Sequence, residues 1–310
     1  MVSFLEVKLI MVNSEKIISA VILCYKPTNK MVLNIDMLLQ QTIKLKTILL
    51  VCTDRDSLYV NLTNNFRNKL NKYIEEGSVK LKSITREEFN HGATRNYAVN
   101  FLDSDYVLFM TDDAVAAHET LVFELVRPFV DEKMAVCYAR QLPLDGASFI
   151  EKMVRNFNYP NFNIEKSIET KEKLGIKNYF VSNVCAMYSL KIFREIGGFE
   201  EGIPLNEDSI YSYNVINRGY KVMYLADAKV FHSHNLSLWG QFIRNYNIGK
   251  TQKMKKEIYN NIKSENEGFK LFKYGIKKCI KTYRFLDLIY FVIYCIVRYI
   301  GFLMGKIFAR

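Results

Sequence analysis

The sequence predicts an α/β fold: a mostly parallel central sheet covered by flanking helices. Three observations predict it. Short apolar runs recur, and each ends in polar or chain-breaking residues. Stretches with helical spacing separate those runs. No internal repeat or Pro-rich linker interrupts the pattern, since only 5 Pro occur in 310 residues. Strands that alternate with helices bury a parallel sheet on both faces.

Residues 17–24 form an apolar run before Tyr25-Lys26-Pro27, which reads as a buried strand entering a loop. Residues 31–41 have helical spacing. Residues 47–52 give a second buried strand, which ends in Thr53-Asp54-Arg55-Asp56. Residues 58–73 again read as helix, and residues 79–84 alternate as a third strand. A short helix is expected over 96–102 and a fourth strand over 106–110. Further on, 179–183 and 222–225 read as strands. Helices are expected over 209–218, closed by Gly219, and over 238–254. Ligands of such sheets bind beyond the carboxyl ends of the strands. Chemistry is therefore expected at residues 24–26, 53–54, 87–96 and 111–113.

The net charge is +11, which favours anionic partners. Residues 250–284 carry eleven Lys and Arg against three Glu, so the body is only mildly basic. That clustering argues against a nucleic-acid-binding surface. The six cysteines are scattered, with no C-x-x-C pair, and read as reduced buried thiols. Residues 1–10 include Glu6 and Lys8 and lack a long apolar core, so no signal peptide is expected there.

Four motifs can carry chemistry. Asp112-Asp113 follows the fourth strand, and two adjacent carboxylates ionise together most easily around a hard divalent cation. The alternative is a helix cap. Asn206-Glu207-Asp208 follows a loop of Gly and Pro and opens a helix, where a carboxylate can cap or serve as a general base. Residues 89–96, Phe-Asn-His-Gly-Ala-Thr-Arg-Asn, lie between a strand and a helix. Arg95 offers a fork for phosphate there. His232-Ser233-His234 ends a strand, where an imidazole can reach a metal or simply be solvated.

Taken together and in order, these motifs resemble the family 2 inverting glycosyltransferases, in particular their rhamnosyltransferase-like branch. The resemblance runs from about Ile17 to Gly249 and implies the GT-A fold: a Rossmann-like sheet with flanking helices. It divides the chain into an N-terminal extension (1–15), a transferase domain (16–250) and a basic, amphipathic helical tail (251–310). Within the domain, 16–115 would be the nucleotide-sugar half and 116–250 the acceptor half. By the same resemblance, Asp208 matches the catalytic base, with Glu207 beside it. Asp113 matches the metal-binding Asp, and His234 (or His232) the late His near the metal or diphosphate. Cys24, Tyr25, Asp54, Arg95, Asn96 and Asp112 fall at donor- and nucleotide-binding positions. The implied cofactor is Mg²⁺ or Mn²⁺. Two positions depart from the family pattern. Thr111 stands where the first Asp of an Asp-x-Asp usually is, and Cys52 stands where a base-reading Asp is usual, with Asp54 two residues on.

The expected reaction is transfer of a sugar, rhamnose by resemblance, from a dTDP- or UDP-linked donor to a hydroxyl of a lipid-linked cell-surface glycan. Hexosyl or N-acetylhexosaminyl transfer is the runner-up, and a non-catalytic nucleotide-sugar-binding scaffold is the reading from another class. Residues 285–304 are largely apolar, with Asp287, Tyr290, Tyr294, Arg298, Gly301 and Gly305 forming one polar-and-small stripe. A helix in the membrane interface, or one packed by its stripe on a partner, is expected. Gly301 and Gly305 form a G-x-x-x-G, which admits a homodimer. The expected location is the cytoplasmic face of the cell membrane.

Overall fold

The computed structural model describes residues 16–233, 236–260, 262 and 265–308. The N-terminal extension and His234 lie outside them. The first half runs β1 (Ile18–Cys24), α1 (Asn29–Leu39), β2 (Thr47–Thr53), α2 (Asn64–Glu75), β3 (Val79–Ile84), α3 (His91–Val99), β4 (Tyr106–Thr111) and β5 (Val115–Ala116). Next come α4 (Leu121–Val126), β6 (Met134–Leu142), α5 (Phe149–Asn158), β7 (Ile164–Lys166), α6 (Lys171–Leu174), β8 (Cys185–Ser189) and α7 (Leu190–Ile196). The chain continues as α8 (Glu207–Asn217), β9 (Lys221–Phe231), α9 (Leu238–Met254), α10 (Lys256–Tyr259), α11 (Glu265–Lys281) and α12 (Phe285–Phe308).

One sheet runs in the order β3-β2-β1-β4-β8-β6-β9-β5, with β7 also on β9. Strands β3, β2, β1 and β4 are mutually parallel. Strand β8 is antiparallel to both β4 and β6, and β6 is parallel to β9. The parallel half was expected; β8 gives the second half its mixed pairing. Every residue of β1 and β2 is buried, as central strands covered on both faces require. The apolar face of α1 (Met31, Val32, Ile35, Leu38) packs on one side. Phe199, Ile210, Tyr211 and Val215 help fill the other. The carboxyl ends of β1, β2, β4, β6 and β9 lie along one edge, and that edge carries the site.

Two elements differ from the sequence expectation. Helix α3 starts at His91, because Asn90 Oδ1 accepts from the backbone N–H of Gly92 and Ala93, both at 3.1 Å. Residues 179–183 are not a strand. The polar groups of Ser182 and Asn183 are taken by neighbouring side chains, and the strand begins at Cys185.

The tail folds back on the domain. Phe291 and Tyr294 of α12, with Leu271 and Cys279 of α11, pack on Ile150, Met153 and Val154 of α5. Helix α12 lies against α9 at near-contact of the backbones. A Cβ on Gly305 would stand 1.9 Å from the Tyr246 carbonyl oxygen, and one on Gly301 2.5 Å from that of Phe242. On α9, Gly249 faces Phe302 in the same way. The G-x-x-x-G therefore pairs with α9 of its own chain. The stripe faces in at Tyr294, Gly301 and Gly305, while the apolar faces point outward. Replacing Gly305 by Leu should pry α12 from α9. Limited proteolysis should then cut residues 265–308 well before the body, whereas the wild-type tail and body should be degraded together.

Candidate active site

Strand β4 delivers Asp112 and Asp113 to the edge. Asp112 Oδ2 accepts from the Tyr25 backbone N–H at 3.2 Å, which joins the ends of β4 and β1. Tyr25 is exposed and has the Lys26 amine 5.3 Å and the Arg86 guanidinium 5.9 Å from its ring centre. Lys26 and Asp54 hold φ of 48° and 57° at the ends of β1 and β2. Non-glycine residues enter that left-handed region at a cost, and such strain gathers at ligand sites. Cys24 does not face this edge. Its thiol donates to the Val51 carbonyl in the core, and it lies across from Cys52 in register. The Cys24–Cys52 hydrogen bond raises the first thiol's pKa well above the usual range and lowers the second's.

Asp113 Oδ2 stands 3.3 Å from His232 Nε2, at the end of β9. Nδ1 of that ring lies 2.8 Å from Gln141 Oε1, which can only accept. Arg155 Nη1, which can only donate, lies 3.2 Å from the same Nδ1; in the neutral tautomer with hydrogen on Nδ1, the Nε2 lone pair faces the carboxylate. Arg155 holds Gln141 in turn and is itself anchored to Glu151. A carboxylate opposite an imidazole whose other nitrogen is fixed by an amide is a sound donor set for a divalent cation. Among the described residues no group of three or more His, Cys, Asp or Glu side chains is gathered for a metal. Thr111 contributes only a buried hydroxyl without a partner among them.

The base candidate is built differently. Asn206 opens α8 with φ 68°, which Asn tolerates. Asp208 Oδ2 accepts from the Asn183 N–H at 3.1 Å, and Oδ1 accepts from the Ser209 N–H at 2.7 Å. Burial and the adjacent Glu207 charge raise the Asp208 pKa to about 7, against those two N–H groups and Arg95, which lower it. That value suits proton acceptance near neutrality. Glu207 is buried. Its Oε1 accepts from Arg95 Nη1 at 2.7 Å and from Asn183 Nδ2 at 3.0 Å.

Arg95 is 2% exposed. The fork expected on the donor is turned inward onto Glu207 and the His91 carbonyl. Asn96 is also engaged within the protein: its Nδ2 donates to the Phe199 carbonyl, and its Oδ1 accepts from the Phe199 N–H. Asn90 Nδ2 reaches the Ile203 carbonyl, and a Cβ on Gly92 would meet the Glu200 carbonyl oxygen at 2.2 Å. Residues 89–96 thus clamp the loop that leads to Asp208. Buried Thr251 of α9 joins the clamp, its hydroxyl donating to the Leu205 carbonyl at 2.9 Å. Sequence reasoning missed Asn183, Gln141, Arg155 and Thr251. Gln141 and Asn183 stand near the ends of largely apolar runs, the one signal that could have drawn attention to them; Arg155 and Thr251 stand among other polar residues and carry no such signal.

A parallel half-sheet, an acidic pair at the end of β4 and a carboxylate at a loop–helix junction define a GT-A transferase architecture. Solved structures share the fold. A mannosyltransferase from Pyrobaculum calidifontis, in complex with GDP-Man and Mn²⁺, superposes with a TM-score of 0.61 at 11% identity, covering 94% of this chain and 88% of that one. Residues 1–349 of S. aureus TarS with UDP-GlcNAc give 0.55 at 13% identity, over 83% and 71%. The model of glycosyl transferase family 2 matches residues 19–197, and the chain belongs to that family. Among curated proteins it is 37% identical over 216 residues to the O-antigen chain rhamnosyltransferase RfbN of Salmonella typhimurium, covering 69% of this chain and 66% of that one. It is 37% identical over 188 residues to the O-antigen chain rhamnosyltransferase WbaN of Salmonella anatum, covering 60% and 58%. The matches thus span less than two thirds of the length of these relatives.

Breaking the clamp should be costly. Glu207→Ala leaves a buried guanidinium unpaired and should cost about 3–5 kcal/mol in chemical denaturation. Glu207→Ala combined with Arg95→Met should lose less than the sum of the single changes.

Proposed function

We propose that this chain is an inverting glycosyltransferase that moves rhamnose from a nucleotide-diphosphate donor to a hydroxyl of a growing, lipid-linked cell-surface glycan at the cytoplasmic face of the membrane. The observation that carries this is Asp208: a carboxylate with its pKa raised to about 7, oriented by two backbone N–H groups at the acceptor half of the edge. The rhamnose assignment is supported by the two rhamnosyltransferase relatives. The donor's nucleotide lies over Tyr25, Asp54 and Asp112. Asp113 and His232 would hold a divalent cation, Mg²⁺ or Mn²⁺, which when bound offsets charge on the diphosphate. His234, outside the described residues, is the further candidate ligand.

In the mechanism Asp208 accepts the proton of the acceptor hydroxyl. The oxygen attacks the anomeric carbon from the face opposite the diphosphate, and the configuration inverts. Glu207 does not touch substrate; it fixes the turn from which Asp208 projects. Asp208→Asn should lower turnover about 10²–10⁴-fold while donor affinity, measured by calorimetry, stays within twofold. Donor binding without that loss would remove Asp208 from the base role.

The sign of the pH dependence follows from the raised pKa. The base works deprotonated, so kcat/KM should fall about tenfold per pH unit well below 7 and level off above it. A profile flat from pH 5.5 to 8 would exclude Asp208 as the titrating group. Activity should vanish in excess chelator and return with Mn²⁺, and Asp113→Asn should need more Mn²⁺ for half-recovery.

The membrane partner rests on the tail. Helix α12 has 24 residues; its most apolar 18-residue window has a mean hydropathy of 1.9, and only 22% of that window is buried. Leu286, Ile289, Ile293 and Ile296 face outward, with exposed Trp239 and Ile243 on α9. Lys273, Lys277 and Lys281 of α11 stand close by in sequence and suit anionic lipid. Ile289→Glu with Ile293→Glu should shift the protein from sedimented anionic vesicles to the supernatant, without changing its melting temperature. Retention on the vesicles would show that the tail is not the contact.

A further inference from the structure

A cavity of about 450 Å³ opens behind the base. Asn206 and Ser209, which flank Glu207 and Asp208 in sequence, line one end of it. Its walls are aromatic: Tyr138 and Tyr224 from the sheet, Phe180 from the loop before β8, and Tyr259 from α10. The size and the largely apolar lining fit a site for a small ligand.

Two polar groups in the lining are out of place for a core. Lys166 of β7 is 2% exposed. Its amine donates to the Tyr138 hydroxyl at 2.7 Å and to the Phe180 carbonyl, and it lies 4.7 Å from the Tyr138 ring centre. No carboxylate among the described residues forms an ion pair with it, and burial pushes its pKa well below the usual range. Gln252 of α9 is 5% exposed, and its Oε1 has no partner among the described residues. An unpartnered buried acceptor costs about 1–3 kcal/mol, and a lysine without a counter-ion also disfavours burial. Packing alone would be served better by Met and Leu at these positions.

A pyranose resolves both. Its C–H face packs on aromatic rings, and its hydroxyls both donate and accept. The charge of the occupant also follows. Lys177 of the lining, the charge felt most at Lys166, is neutralised by Glu267 at 3.0 Å; the negative potential of Asp208 also reaches Lys166, Tyr138 and Tyr259, so an anionic sugar or phosphate would be repelled when Asp208 is ionised. We propose that this cavity seats an uncharged pyranose unit of the acceptor glycan, with Lys166 donating to its hydroxyls and Gln252 accepting from them. Lys166 and Gln252 are then specificity-determining residues. The proposal rests on the reading of Asp208 as the base.

The test uses the full chain in detergent micelles. The probes are methyl α-L-rhamnopyranoside, methyl α-D-mannopyranoside and the charged methyl β-D-glucopyranosiduronate, observed by saturation-transfer NMR, with dTDP and UDP binding followed in parallel. At least one neutral glycoside should bind and the glucuronide should not. Lys166→Met and Gln252→Leu should each weaken that binding about tenfold, the effect of losing one well-made hydrogen bond. Nucleotide affinity should hold, and the melting temperature should rise or stay the same. The two variants sit on different elements, so a folding defect in one leaves the other decisive. Equal glycoside binding in wild type and variants would overturn the proposal. So would preference for the glucuronide, or no glycoside binding by wild type. Failure of wild type to bind either nucleotide would instead count against the proposed function, and the glycoside result would stand apart from it.

Discussion

The buried Arg95–Glu207 ion pair is the constraint on which the site depends. It joins α3, which lies between β3 and β4 of the parallel half, to α8, which carries Asp208 in the mixed half. Both charges are taken out of water, so the pair holds only where geometry is good and the remaining polar atoms are satisfied. Asn183 and the His91 carbonyl supply much of that satisfaction. The result is a fixed angle between α3 and α8 at this edge. Asp208 inherits its position from that angle, and its raised pKa comes from the same dry surroundings together with the charge next door.

Local signals made the first half of the fold legible. Strands β1, β2 and β4 are unbroken apolar runs, and β3 alternates, so period and punctuation were enough. The second half was harder because its strands are defined by partners far away in sequence. Strand β6 pairs with β8 and β9, and nothing within 134–142 announces that mixed pairing. The shift of the eighth strand from 179–183 to Cys185–Ser189 has the same origin. Asn183 looks like a strand residue until Glu207, Asp208 and Tyr188 claim its polar groups.

The site shows the same division. The chemical types of Asp112, Asp113, Glu207 and Asp208 were visible in sequence, because carboxylates at strand ends and loop–helix junctions are conspicuous. Whether a polar side chain faces solvent or the interior was not visible. Arg95 and Asn96 turn inward and act as struts, Cys24 belongs to the core, and His232 is the described histidine that meets Asp113. Orientation is a tertiary property, and a motif read along one dimension cannot carry it. The tail packs by its small stripe, one of the two expectations, but onto a helix of its own chain, and its bulky apolar residues are the ones left outside.

Helix α9 touches three things at once. Its glycine lies against α12, Thr251 holds Leu205 just ahead of the base, and Gln252 stands in the cavity wall. Consecutive side chains on one stiff rod cannot be displaced independently. The tail, the loop ahead of Asp208 and the cavity wall are thus fastened to one and the same helix, so a change that displaced α9 would disturb all three together.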